Sequence, residues 1–169
     1  MNQADGLTRE DPNNDVRLEQ EVFLELNHKY GPFKMDLMAS AANVQADVQG
    51  NKLPFYSQYY IQEAQGTDMF SVNVQKGPGS KSNKANNYCF PPLKMVGLVL
   101  KHLRECKARC VIIAPEVQAA WYPGLMEACL SKRVIAEPFQ KGAFQKFYKG
   151  EIRPFQSKFR MTAFLVHFR

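Results

Sequence analysis

RCVIIAP, residues 109 to 115, is a continuous apolar run with β-branched residues at its centre. It lacks the polar alternation of a half-exposed strand, so it reads as a strand buried on both faces. Such strands belong to parallel sheets covered by helices on each side. The segments on either side agree. Upstream, PLKMVGLVLKHLRECK (92–107) places Met95, Val96, Val99, Leu100 and Leu103 on one helical stripe. Before it lie a short strand, NYCF (87–90), and a stiff turn at Pro91-Pro92. Downstream, AWYPGLMEACLSK (120–132) reads as a helix with Pro123 in its first turn. VIAEPFQ (134–140) reads as a strand, the next stretch as basic loops, and TAFLVHFR (162–169) as a closing strand.

Nearer the amino terminus, Asp15 is positioned to cap a helix from Val16 to Tyr30, striped by Val16, Leu18, Val22, Phe23 and Leu26. Gly31-Pro32 ends it. FKMDLMA (33–39) reads as a buried strand carrying one carboxylate, Asp36, and PFYSQYY (54–60) and MFSVNV (69–74) read as further strands. KGPGSKSNKAN (76–86) is a flexible basic loop by composition. Alternating strands and helices predict a three-layer α/β domain over residues 16–169 with a largely parallel sheet, preceded by a polar tail, 1–15.

Composition narrows the function. With 45% hydrophobic and 22% charged residues, the chain has the make-up of a globular domain rather than a disordered one. No apolar run approaches the ~20 residues a membrane-spanning helix needs, and MNQADGLTREDPNND is too polar for a secretory signal. Cys89, Cys106, Cys110 and Cys129 have no C-x-x-C spacing, and His28, His102 and His167 are scattered, so no metal site is expected. The thiols read as reduced, in an intracellular protein of nucleus or cytoplasm. The net charge of +6 is uneven: from Lys132 to Arg169 nine basic residues face two acids, giving +7. Aromatics Phe139, Phe144, Phe147, Tyr148, Phe155 and Phe159 interleave with those cations, a mixture suited to nucleic acid. A solubilising surface and core aromatics are the plain alternatives. Trp121 and Tyr122 read as a helix anchor more readily than as a base-stacking pair.

MDLMASAAN (35–43), TDMFSVNV (67–74), FPPL (90–93), IIAPEVQAAW (112–121) and RPFQSKFRMTAFLVHFR (153–169) stand in an order that resembles the Dam-like adenine-N6 DNA methyltransferases. The likeness runs from about Leu18 to the C-terminus. MDLMAS, TDMFS and YCFPP are nearer still to the Dam-like domain of DIRS-type tyrosine-recombinase retrotransposons, and NQADGLTR (2–9) resembles the end of a retroelement ribonuclease H domain. The resemblance implies a Rossmann-like methyltransferase-type sandwich, mostly parallel, with an antiparallel C-terminal strand. It also implies S-adenosylmethionine as a possible cofactor, bound by Asp36, Ala39, Ser40 and Asp68, with Asp36 at the donor's amino-acid end and Asp68 at its adenine. Asn43 belongs to the same motif. The first turn has no glycine, however, where the family's backbone closes on the donor.

The catalytic motif is degenerate. In the family, an Asp or Asn before the prolines accepts hydrogen bonds from adenine N6, localising its lone pair, and an aromatic after them stacks on the flipped base. Here Phe90 stands at the acceptor position, Pro91 and Pro92 follow, and Leu93 replaces the ring. Loss of one such group commonly costs ~10²–10³ in rate. The leading expectation is therefore a non-catalytic nucleic-acid-binding or scaffolding module of a retroelement polyprotein. DNA is favoured over RNA as its ligand, and it would be held by Lys76, Lys81, Lys84, Lys146, Lys149, Arg153, Lys158 and Arg160. One alternative is an active adenine-N6 methyltransferase in which Ser71, Asn73, Asn86 or Asn87 supplies the acceptor. A second is a protein-docking module for the reverse transcriptase or recombinase regions of the same element. Asp36 and Asp68 alone do not make a two-metal nuclease.

Overall fold

The computed structural model describes residues 15–57, 62–74 and 83–169. The tail at 1–14 and the loop residues Lys76 and Lys81 lie outside the described residues.

The run at 109–115 forms β6 (Arg109–Pro115), with every residue buried. It lies in a five-stranded sheet with β2 (Met35–Asp36), β5 (Asn87–Cys89), β7 (Cys129–Ala136) and β10 (Met161–His167), in the order β2-β5-β6-β10-β7. β2, β5 and β6 are parallel, and β10 runs antiparallel to both β6 and β7, so one strand of five is reversed. Beyond β2, a parallel bridge joins Asp36 to Phe55, leading to β3 (Tyr56–Ser57) and its parallel partner β4 (Gly66–Thr67).

Two-residue side-chain periodicity sorts the central strands between two cores. Val111, Ile113, Ala163 and Leu165 face one, with Phe23, Leu26 and Tyr30 of α1 (Gln20–Tyr30). Cys110, Ile112, Ala114, Phe164 and Val166 face the other, with Val96, Val99, Leu100 and Leu103 of α2 (Val96–Glu105) and Leu125 of α3 (Tyr122–Ala128). Helices thus cover both faces of a mostly parallel sheet, as its unbroken apolar strands require. Among the described residues no helix is long and apolar enough to cross a membrane.

Four elements differ from the sequence reading. The amino-terminal helix starts later, at Gln20, because residues 15–18 form a strand, β1 (Asp15–Leu18). β1 pairs with β8 (Phe144–Tyr148), and the fully buried Leu18 gains more from that sheet than from a helix's first turn. The position before the helix is Glu19 rather than Asp15. α1 ends as expected at Gly31, where a Cβ would lie 2.6 Å from the Asn27 carbonyl and 2.5 Å from Phe33 N. Only glycine fits there. Residues 69–71 form a 3₁₀ turn, not a strand, because Asp68 accepts a hydrogen bond from the Phe70 N–H at 2.9 Å. β7 begins five residues before the expected start and ends at Ala136. The expected basic loops form a hairpin, β8 with β9 (Glu151–Phe155), which joins β1 in a second sheet of order β1-β8-β9.

Candidate functional site

The carboxyl ends of parallel strands are where open α/β sheets bind ligands. Here β2 ends at Asp36, β5 at Cys89 and β6 at Pro115. The Pro91-Pro92 turn has a local role: Pro92 (φ −58°, ψ 152°) opens a 3₁₀ turn, Leu93–Met95, which leads into α2. Its carbonyl accepts the Met95 N–H at 2.9 Å.

Phe90 is packed. Its ring lies 5.8 Å from that of Phe144 on the hairpin, and Phe144 meets Phe155 at 6.3 Å. An apolar cluster from the second sheet therefore packs against the residue that precedes the two prolines. Leu93 is only half-buried.

Beside Phe90 is a polar pocket lined by Val16, Arg17, Asp36, Met38, Asn43, Gln45, Tyr88 and Phe90. Asp36 is buried and accepts backbone N–H bonds from Met38, at 3.4 Å, and from Gln45. Burial dominates over those bonds and pushes its pKa up to about 8. Burial, and then the neighbouring Asp36 charge, also hold the Tyr88 hydroxyl well above the ordinary phenol range. Gln45 donates its Nε2–H to the Leu18 carbonyl at 3.1 Å, tying β1 over the pocket. Its Oε1 and the Tyr88 hydroxyl lie near each other but not in hydrogen-bonding geometry. Arg17 enters from β1, donating to Gln145 Oε1 at 3.0 Å with its guanidinium 4.9 Å from the centre of the Phe147 ring.

The methyl donor implied by the resemblance does not fit this pocket. The space is about 10 Å³, room for one water-sized group, closed by Val16 and Arg17 on one side and Phe90 on another. Ser40 and Asn43 are engaged with each other: Ser40 N–H donates to Asn43 Oδ1 at 2.7 Å and Asn43 N–H to Ser40 Oγ at 3.1 Å. Ala39 is buried in the core. Asp68 is spent as the cap of the 3₁₀ turn and does not line the pocket. Of the four residues expected around a donor, only Asp36 faces the cavity.

The expected basic residues fall into two groups. Lys146 on β8 and Arg153 on β9 are cross-strand neighbours, and Lys149 is in the turn between the strands. Lys158 and Arg160 follow in the lead into β10. Lys84 is elsewhere. It precedes β5, at the amino end of the sheet, and donates to the carbonyls of His28 and Lys29, capping α1 at 3.1 Å to each. Lys84, at the described end of the basic loop, therefore lies at the opposite end of β5 from the Pro91-Pro92 turn. Ion pairs also temper the charge count. Lys132 and Arg160 meet Glu116, Arg160 also meets Glu137, Arg133 meets Glu25 and Arg153 meets Glu151. Glu116 and Glu25 lie outside the basic segment, so the sequence tally could not include them.

Trp121 packs on α2, where a Cβ on Gly97 would touch its ring at 3.4 Å, in keeping with a helix anchor. His102 Nε2 bonds the Val72 carbonyl at 2.8 Å and lies 3.5 Å from Cys106 Sγ, fastening α2 to the chain beyond the 3₁₀ turn. Among the described residues no group of His, Cys, Asp and Glu could hold a metal. Comparison with protein-family models, curated proteins and solved structures finds no match to this chain.

Proposed function

We propose that this domain is a methyltransferase-like fold without transfer chemistry, acting as a nucleic-acid-binding module of a retroelement polyprotein. The observation that carries the reading is Phe90. An enzyme acting on adenine N6 needs an acceptor ahead of the two prolines, and here a phenyl ring stands there, packed on Phe144 at 5.8 Å. A ring without lone pairs cannot localise the amine's electrons or stabilise the charge that develops on it. The mostly parallel sheet whose C-terminal strand runs antiparallel supports the resemblance. The candidate acceptors of the enzyme alternative lend it little. Asn87 is buried at the start of β5 and donates its Nδ2–H to the Arg109 carbonyl at 2.9 Å, at the amino end of the sheet. Ser71 donates to backbone carbonyls of its own turn.

The hairpin favours nucleic acid as the ligand. Lys146 lies directly opposite Arg153, with Lys149 in the turn between their strands, so three cations are gathered on one hairpin where phosphates would meet them together. The test is a radiolabelled methyl-transfer assay on DNA and RNA, beside a mobility-shift assay with the same substrates. Shifts without transfer are expected. Turnover that is lost on changing Pro91 or Asp36 would restore the enzyme reading, and absence of any shift would favour a protein-docking role.

A further inference from the structure

Phe139 is the one aromatic ring among the largely exposed apolar side chains of the described residues, at 66% exposure. Its backbone is left-handed, with φ 62°, a conformation that costs any residue with a Cβ. The chain therefore adopts unfavourable backbone geometry for a ring that stays largely exposed. A single exposed apolar residue needs no explanation, but one set on a left-handed, hydrogen-bonded turn points towards function.

The turn is fixed from several sides. Phe139 N–H donates to the Ser157 carbonyl at 2.7 Å, Gln140 N–H to the Glu137 carbonyl at 3.0 Å, and Glu137 N–H to Gln140 Oε1 at 2.9 Å. Arg160 Nε holds the Glu137 carboxylate at 2.9 Å. The turn follows β7, where Ala136 pairs with Met161, and so lies at the carboxyl end of β6. Nearby in the chain or bonded framework are the exposed Lys141 and Lys158, and the Lys158 ammonium lies 5.4 Å from the centre of the half-buried Phe159 ring. An exposed ring on a hydrogen-bonded turn, with Lys141 two residues along the chain and Lys158 next to the Ser157 whose carbonyl accepts the Phe139 N–H, suits an unpaired nucleotide: a face for its base and positive charge for the adjoining phosphates.

We infer that Phe139 is a stacking platform for an unpaired base of single-stranded nucleic acid, with Lys141 and Lys158 contacting the flanking phosphates. The inference rests on the nucleic-acid reading above and narrows its ligand to single strands, because paired bases keep their faces stacked in the duplex. A protein pocket that accepts the ring would be the competing partner, and the surrounding cations favour the polyanion.

Fluorescence anisotropy with a labelled oligothymidylate and a duplex of matched length tests it. The unsubstituted protein should prefer the single strand. Phe139→Ala should lose about ten-fold in single-strand affinity, with duplex binding and the salt slope unchanged, and Phe139→Trp should retain affinity. Phe139→Gly supplies the folding control: it relieves the left-handed strain, so it should bind weakly while melting no lower than the unsubstituted protein. Undiminished single-strand binding by both the Ala and Gly variants would overturn the platform and leave the basic-surface reading intact. Absence of binding to either nucleic acid by the unsubstituted protein would remove both.

Discussion

Asp36 ends β2 with its carboxyl buried among Gln45, Tyr88 and Phe90 and without an ion-pair partner among the described residues. Two backbone N–H groups do not compensate for lost hydration, and the pKa rises to about 8 from 3.8. The folded state therefore holds a proton that the unfolded chain releases in mild acid. A raised acid pKa means that Asp36 favours folding fully below about pH 4, and that this contribution is lost as pH climbs through about 8. Asn is close in shape to the neutral acid and cannot ionise. Asp36→Asn should leave the thermal midpoint nearly unchanged at pH 4 and raise it relative to the unsubstituted protein above pH 8. Melting curves over that range check it, and a pH-independent difference would mean that Asp36 is not buried as a neutral acid. Neighbouring Phe90 is amenable to a parallel argument. Phe90→Asn puts at the turn an acceptor of the type the resemblance implies, but removes the ring contact with Phe144 and puts an amide against apolar carbon. It should cost about 1–3 kcal/mol in denaturant unfolding and yield no methyl transfer, since β1 still closes the pocket.

The second sheet explains why restoring one residue is not expected to restore a site. Leu18, Phe144 and Phe155 lie side by side across β1, β8 and β9 and all face the first core. Phe144 is fully buried and links the hairpin to Phe90. Phe144→Ala should destabilise the domain by about 3–5 kcal/mol, read as a lower urea midpoint. A fall in the slope as well would mean that the hairpin unfolds separately. This sheet is also what the sequence concealed. RCVIIAP reads correctly to the residue because a strand buried on both faces leaves a continuous apolar signature. FQKFYKGEIRPF does not, because aromatics occupy both faces of β8: Phe144 enters the core while Phe147 lies beneath Arg17. Its turn is Lys149-Gly150, both left-handed (φ 49° and 79°), and lysine in place of the usual Asn or Asp masks the hairpin signal. The same limit applies at the site. Phe90 and Leu93, on either side of the two prolines, are legible in four consecutive letters. The closure of the pocket is not, because it depends on contacts such as Gln45 with Leu18, 27 residues apart.

Charge is a property of the whole molecule, and the fold redistributes what the sequence tallies. Nine cations lie between Lys132 and Arg169, and at least four of them meet carboxylates: Lys132, Arg133, Arg153 and Arg160. Exposed pairs of this kind are worth little to stability, so phosphates can compete for them, at the cost of freeing a carboxylate beside the ligand. The expected footprint is then the hairpin and the lead into β10, without Lys84, which serves α1 at the far end of β5. Each phosphate contact on duplex DNA releases counterions and contributes about −0.9 to the slope of log affinity against log salt. Replacing Lys146, Lys149 and Arg153 by glutamine should weaken binding at every sequence tested and flatten that slope by up to about 3. The thermal midpoint should change little, because the Arg153–Glu151 pair that is lost is exposed. Lys84→Gln should instead lower the midpoint slightly and leave the slope unchanged. A steep slope that survives the triple substitution would move the nucleic-acid surface off the hairpin, and a flattened slope in Lys84→Gln would return it to the amino end of the sheet.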